Sequence, residues 1–262
     1  MKFNLRKFVA ELYGARNVLL QLISQQLILR YRRTILGYLW TLINPLLMMS
    51  IMAAVFSVLF NADLKTFTIF LFAGMIPWNF FSSVVTQSST SLINNEGLIK
   101  KIYLPKIIFP LSLASALLID SMLSFLVLLV MIVAIGGSVS WVLMFIPVAY
   151  TMLFFFSVGI SLMISVATVF FRDLQHIIVI AMQGLFFLTP ILYKRDALAG
   201  LVAGLVGLNP VLPFIELFRY PLYLAVLPSS SVVISAILIS LSTMGIGLFV
   251  FLRCEKRIVF RL

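Results

Sequence analysis

Long apolar runs almost free of charge, separated by short charged stretches, set the rhythm of this chain. Six of them, residues 36–61, 67–92, 107–135, 141–170, 177–193 and 232–252, predict helices that cross a lipid bilayer. A hydrocarbon core about 30 Å thick calls for roughly 20 residues at about 1.5 Å each. The expected fold is therefore an all-α integral membrane protein with six transmembrane helices. Residues 197–227 are also apolar, but Asn209, Pro210, Pro213, Glu216, Arg219 and Pro221 interrupt them. The first part, residues 197–208, would reach only about 18 Å as a helix. Two re-entrant outer half-helices between spans 5 and 6 fit that length, and an interfacial hairpin fits it equally. Glu216 and Arg219, three residues apart, would share a helix face and could neutralise one another.

Ahead of the first span, residues 16–33 place Leu19, Leu20, Leu22, Ile23 and Leu27 on one helical side and Asn17, Gln21, Ser24, Gln25 and Arg32 on the other, with Gln26 and Ile28 breaking the pattern. This predicts an N-terminal amphipathic helix in the membrane interface, where Arg30, Arg32 and Arg33 meet lipid phosphates. A plain topogenic flank is the other reading. The chain then divides into a cytoplasmic N-terminus (1–35), a six-span core (36–252) and a cytoplasmic tail (253–262) of one domain.

Composition agrees with the pattern. The chain is 63% hydrophobic and 10% charged, against roughly 45–50% apolar residues in soluble domains. With the N-terminus inside, seven bases precede span one, Lys100, Lys101 and Lys106 lie in the second loop, Arg172 in the fourth, and four in the tail. Only Lys65, Lys194, Arg195 and Arg219 fall outside. The positive-inside rule thus puts both termini in the cytoplasm. The net charge of +11 is accounted for by cytoplasmic retention and anionic lipid, so nucleic acid is not an expected partner. Residues 1–33 lack the continuous apolar core of a cleavable signal peptide.

Catalytic chemistry finds little support. Cys254 is the only cysteine and His176 the only histidine, which removes intramolecular disulfides, Cys-based metal clusters and Cys/His pairs. Asp173 beside His176 lacks a second base or nucleophile. No phosphate-binding G-x-x-x-x-G-K-[ST] loop is present, so any ATP would be bound by another subunit. The chain is not expected to be an enzyme or to hold a metal.

Residues 94–106 predict a short amphipathic cytoplasmic helix that either docks a soluble partner through Leu98, Ile99, Ile102 and Tyr103 or serves only as a lysine-rich topology anchor. Asp120 falls well inside a predicted span, where burial in lipid costs at least about 2.5 kcal/mol. It is either part of a transport path or a hydrogen-bonded link between helices. Ser157, Ser161 and Ser165 form a small-residue stripe suited to close helix contact. Trp40, Trp78, Trp141, Phe186, Phe187 and Tyr193 belong to a rich set of aromatics that could let sugar faces slide through a pore, although interface belts and lipid contact explain most of them.

Arg30 to Trp40, followed by Asn44 and Pro45, resembles the opening of permeases in the type 2 family of ABC exporters. So do Gly74, Ile76, Pro77 and Trp78; Lys100, Lys101, Tyr103 and Pro105; Phe170, Phe171, Arg172 and Asp173; Thr189 to Tyr193; and Asn209 with Pro210. The likeness runs nearly the whole length and is finest to permeases exporting O-antigen or related polysaccharides on a polyprenyl lipid. It implies a homodimer in the bacterial inner membrane with a channel between protomers, driven by two copies of a separate ATPase that binds ATP and Mg. It implies further that Leu98, Ile99, Lys100, Lys101, Ile102 and Tyr103 couple to that ATPase. Because arginine forks suit phosphate oxygens, Arg30, Arg32 and Arg33 are expected to meet the substrate's phosphate headgroup. Trp40, Phe186, Phe187 and Tyr193 would then line the channel, and Glu216 and Arg219 would belong to an outer gate. Teichoic acid, capsule and small-lipid or drug exporters share the plan. A membrane scaffold without transport is the reading from a different class.

Overall fold

In the computed structural model, residues 5–29, 36–134, 140–194 and 200–262 are described, and every regular element among them is helical. Helices α1 (Leu5–Gly14) and α2 (Arg16–Leu29) lead the chain. They are followed by α3 (Trp40–Leu59), α4 (Leu64–Ser88) and the short α5 (Glu96–Lys101). Next come α6 (Ile108–Ala134), α7 (Ile146–Phe170) and α8 (Leu174–Leu188). Helices α9 (Gly200–Gly207), α10 (Leu212–Arg219) and α11 (Ser230–Arg261) complete it. Five helical stretches are long and apolar enough to cross a membrane: Leu42–Leu59, Leu64–Ser88, Ile108–Ala134, Trp141–Phe170 and Ser230–Arg261.

The predicted fifth span is shorter than its apolar run. Helix α8 has 15 residues, a reach of about 22 Å. It ends because Pro190 disfavours helical backbone at Thr189, which is extended at φ −98°, ψ 126°. The sixth run errs in the other direction. Helix α11 carries on past residue 252 through the predicted tail to Arg261. Its extension is tied to the loop before α6, where the Glu255 carboxylate accepts from the Lys106 amide at 3.4 Å and lies 3.9 Å from the Lys106 ammonium. Helix α2 lies against α6 with Leu22 buried and Leu19 and Ile23 half-buried, while Leu20, placed on the apolar side by pattern, is exposed.

Helix α4 is the hub, touching α3, α6, α7, α8 and α10. Its N-terminus is capped by Asp63, whose carboxylate accepts from the Thr66 amide at 3.0 Å and from the Thr66 hydroxyl. Those bonds hold Asp63 below the ordinary carboxylate range. A lowered folded-state pKa gives a contribution that is complete above the unfolded carboxylate's pKa and disappears as pH falls through the folded one. Asp63→Ala is therefore expected to lower the melting temperature at neutral pH, with the gap from wild type closing in acid. A gap unchanged at low pH would show that the carboxylate charge is not what caps the helix.

The tightest contact in the molecule joins α7 to α11. A Cβ built on Gly247 would lie 2.2 Å from the Gly159 carbonyl oxygen, and one on Gly159 would lie 2.5 Å from the backbone of Thr243. The backbones thus meet without intervening side chains. Ser157, Ser161 and Ser165 are all fully buried on α7, and Ser240 of α11 donates across the pair to the Met152 carbonyl at 2.9 Å.

Candidate functional sites

The segment after α4 folds back into α5, whose Glu96 accepts from Lys100 at 2.5 Å. That bond and the Lys100 charge hold Glu96 below the usual carboxylate range, and Arg172 adds to the effect. The predicted docking residues separate by orientation. Tyr103 is 86% exposed and Leu98 and Ile102 are also exposed, but Ile99 is only 8% exposed and faces the core. Helix α5 ends at Lys101 and Ile102 is extended at φ −129°, ψ 134°, so Ile102 and Tyr103 project from a strand-like exit rather than from the helix. Phe171, beside Arg172 in the turn between α7 and α8, is 70% exposed.

A second constellation fixes the end of α8. Arg219 of α10 donates from Nη1 to the Pro190 carbonyl and from Nη2 to the Ile191 carbonyl at 2.7 Å, and its guanidinium lies 3.9 Å from the centre of the Phe70 ring on α4. Asn209 donates from Nδ2 to the Thr189 hydroxyl at 2.8 Å and to the Leu188 carbonyl at 3.3 Å, while its Oδ1 accepts from the Val211 amide at 2.9 Å. Four consecutive residues, Leu188 to Ile191, are thereby held by side chains from the following loop and α10. Glu216 acts on Arg219 through its charge, as the spacing along α10 leads one to expect, and the guanidinium's hydrogen bonds add this clamp across elements. The strongest donors go to carbonyls that Pro190 leaves without helical partners. Glu216 itself is half-buried one turn earlier.

Three of the four predicted channel aromatics gather at the same end of α8. Phe186 lies 5.6 Å from Trp78 and 5.4 Å from Phe187, and the Tyr193 hydroxyl donates to the Phe187 carbonyl at 2.7 Å. Trp40 stands at the start of α3, outside that cluster. Arg30, Arg32 and Arg33 lie outside the described residues. Asp120 lines a cavity of about 540 Å³ between α3, α4 and α6, together with Asn44, Asn79, Ser83 and Gln87. A hollow of about 590 Å³ between Met122, Phe125, Trp141 and Tyr150 is mainly apolar. Among the described residues no three His, Cys, Asp or Glu side chains group as metal ligands.

An all-helical membrane bundle with a short helix on the side of Lys100 and a clamped turn at the far end of α8 has the layout of a transporter's membrane subunit. The chain belongs to the ABC-2 type transporter family, whose sequence profile matches residues 17–223. It is 30% identical over 226 residues to the O-antigen export system permease protein RfbA of Myxococcus xanthus, covering 86% of this chain and 87% of that one. It is 31% identical over 205 residues to the RfbA permease of Klebsiella pneumoniae, covering 78% and 79%. Similarity extends to the polysialic acid transport protein KpsM of Escherichia coli, 27% identical over 195 residues, 72% of this chain and 75% of that one.

Proposed function

We propose that this chain is the channel-forming permease subunit of an ABC exporter that moves a lipid-linked polysaccharide, O-antigen foremost, across the bacterial inner membrane. The likeness to O-antigen export permeases across most of both chains carries that reading. Two copies form the channel as a single-domain homodimer with both termini in the cytoplasm. A separate ATPase dimer binds ATP and Mg and supplies the power stroke. Helix α8 and the Thr189–Tyr193 turn together complete a sixth crossing, and the segment through α9 and α10 re-enters the membrane from outside as the outer gate. A second reading, export of a different polysaccharide such as polysialic acid, is favoured by the likeness to the polysialic acid transport protein KpsM.

In this mechanism the exposed surface of Leu98, Lys100, Lys101, Ile102 and Tyr103 seats on the ATPase, with Ile99 anchoring it to the bundle. Closure of the ATPase dimer moves α5, and α4 and α6, which flank it in the chain, carry the displacement into the spans. Arg30, Arg32 and Arg33 draw the phosphate headgroup to the cytoplasmic face, since guanidinium forks match phosphate oxygens. Phe186, Phe187 and Tyr193, with Trp40 nearer the cytoplasm, offer ring faces to the sugar chain.

The test is co-expression with the neighbouring ATPase gene, purification in lipid and assay of ATP hydrolysis with and without the strain's lipid-linked glycan. The double variant Ile102→Asp with Tyr103→Ala is expected to weaken ATPase association at least about thirtyfold, because truncating a central interface anchor costs at least about 2 kcal/mol. The folded permease should be retained. An ATPase that never associates with wild-type protein would refute the exporter reading, and full association by the double variant would move the docking surface elsewhere.

A further inference from the structure

The cavity between α3, α4 and α6 differs from the rest of the bundle in what lines it. Asn79 and Ser83 lie one turn apart on α4, with Gln87 a further turn along. The polar row runs about 12 Å from Gln87, near the end of α4 that leads to α5, to Asn79. Asp120 faces it from α6 and Asn44 from α3. Among the described residues, the amides of Asn44 and Asn79 and the Ser83 hydroxyl make no hydrogen bond to protein. Polar groups at membrane depth need partners, so a void lined in this way is filled by something that donates and accepts hydrogen bonds. Its volume of about 540 Å³ falls in the roughly 300–1,000 Å³ range of small-molecule sites.

The chemistry of the lining narrows the occupant. A cation site would collect several carboxylates, and here Asp120 is the only acid among amides and hydroxyls. Side-chain amides that both donate and accept, with one carboxyl acceptor, match vicinal hydroxyl groups. The α3 wall is built from Met48, Met49 and Met52, unbranched side chains that adapt to irregular shapes. We propose that this cavity is a subsite for neutral, hydroxyl-rich sugar units inside each protomer, reached from the α5 side. The proposal rests on the polysaccharide-export reading and adds to it a place where the glycan is held within one chain.

The test uses the full chain with its ATPase in membrane vesicles oriented α5-side out. Cys254→Ser removes the native thiol and Ser83→Cys places a single reporter in the cavity, labelled by a membrane-impermeant methanethiosulfonate. Oligosaccharides released from the same strain's surface polysaccharide are the probe, with polyethylene glycol of equal mass as control. Labelling is expected to slow about tenfold with the oligosaccharides alone, the size of change one lost or gained polar contact produces, and Asn79→Leu should abolish that protection. Labelling that the oligosaccharides leave unchanged would mean a cavity holding water only, and no labelling at all would mean a closed one; either overturns the proposal. Surface glycan in cells separates the two levels of inference. Export by wild type and undiminished export by Asn79→Leu would remove the subsite and leave the exporter reading standing, whereas failure of wild type to export would remove the reading itself.

Discussion

Gly247→Ala is expected to cost this protein most of its folded yield, while Gly245→Ala, two residues away on the same helix, should cost nothing. The difference lies in what each added methyl meets. At Gly247 it would sit 2.2 Å from the Gly159 carbonyl oxygen, whereas at Gly245 no atom lies within 4 Å. The obstacle at Gly247 is backbone, so relief requires α7 and α11 to part along a seam that also includes the Ser240-to-Met152 hydrogen bond. Overpacking ordinarily costs about 1–3 kcal/mol, and a clash with backbone belongs at or above the top of that range. At Gly245 the intrinsic preference of helices for alanine over glycine, about 1 kcal/mol, acts in the stabilising direction. Size-exclusion profiles and melting temperatures of the two variants in detergent measure this directly. Equal behaviour of the pair would mean that the close crossing does not hold the bundle together.

Much of this architecture is legible in the sequence, because the bilayer imposes a length and polarity rule that local composition reports directly. The runs at 36–61, 107–135 and 141–170 each contain a long helix, and the run at 67–92 overlaps α4, which begins three residues earlier at Leu64. The departures occur where local signals compete. At the end of α8 the apolar run continues through Tyr193, but Pro190 overrides it and the helix stops. At α11 the charges beyond residue 252 mark the end of the apolar run and not of the helix, since Arg253, Glu255, Lys256 and Arg257 are good helix formers in water.

The candidate sites were less legible for a different reason: they are built from side chains far apart in the chain. Asp120 stands out by itself as an acid in an apolar run, but its company of Asn44, Asn79 and Gln87 depends on how α3, α4 and α6 pack. Arg219 was paired by spacing with Glu216, yet its two terminal nitrogens are spent on carbonyls 28 and 29 residues back. No periodicity argument reaches those carbonyls. Ile99 and Ile102 look equivalent in an amphipathic pattern, and only the end of α5 at Lys101 sends one inward and the other out.

Arg219→Met is expected to free the turn at the end of α8 while leaving the bundle folded. The methionine keeps apolar contact with Phe70 but removes both donors, leaving the Pro190 and Ile191 carbonyls to find other partners. A buried acceptor deprived of its donor costs about 1–3 kcal/mol, so the local penalty is on the order of 3 kcal/mol. It falls on one turn, because Asn209 still holds Leu188 and Thr189. Amide hydrogen exchange should therefore rise by about two orders of magnitude over residues 189–193 and change little in α7. Arg219→Lys should fall between, since one ammonium cannot present a planar fork to two successive carbonyls. Gly74→Ala approaches the clamp from the other side: its methyl would stand 2.9 Å from Nη2 of Arg219, close enough to push the guanidinium without deleting it. If the turn anchors the outer gate that the exporter reading builds from α9 and α10, the three variants should reduce glycan export in the order Met, Lys, Ala, each in step with its exchange rate. Exchange unchanged in Arg219→Met would show that Asn209 alone holds the turn. Faster exchange with full export would show that the turn can loosen without consequence for transport.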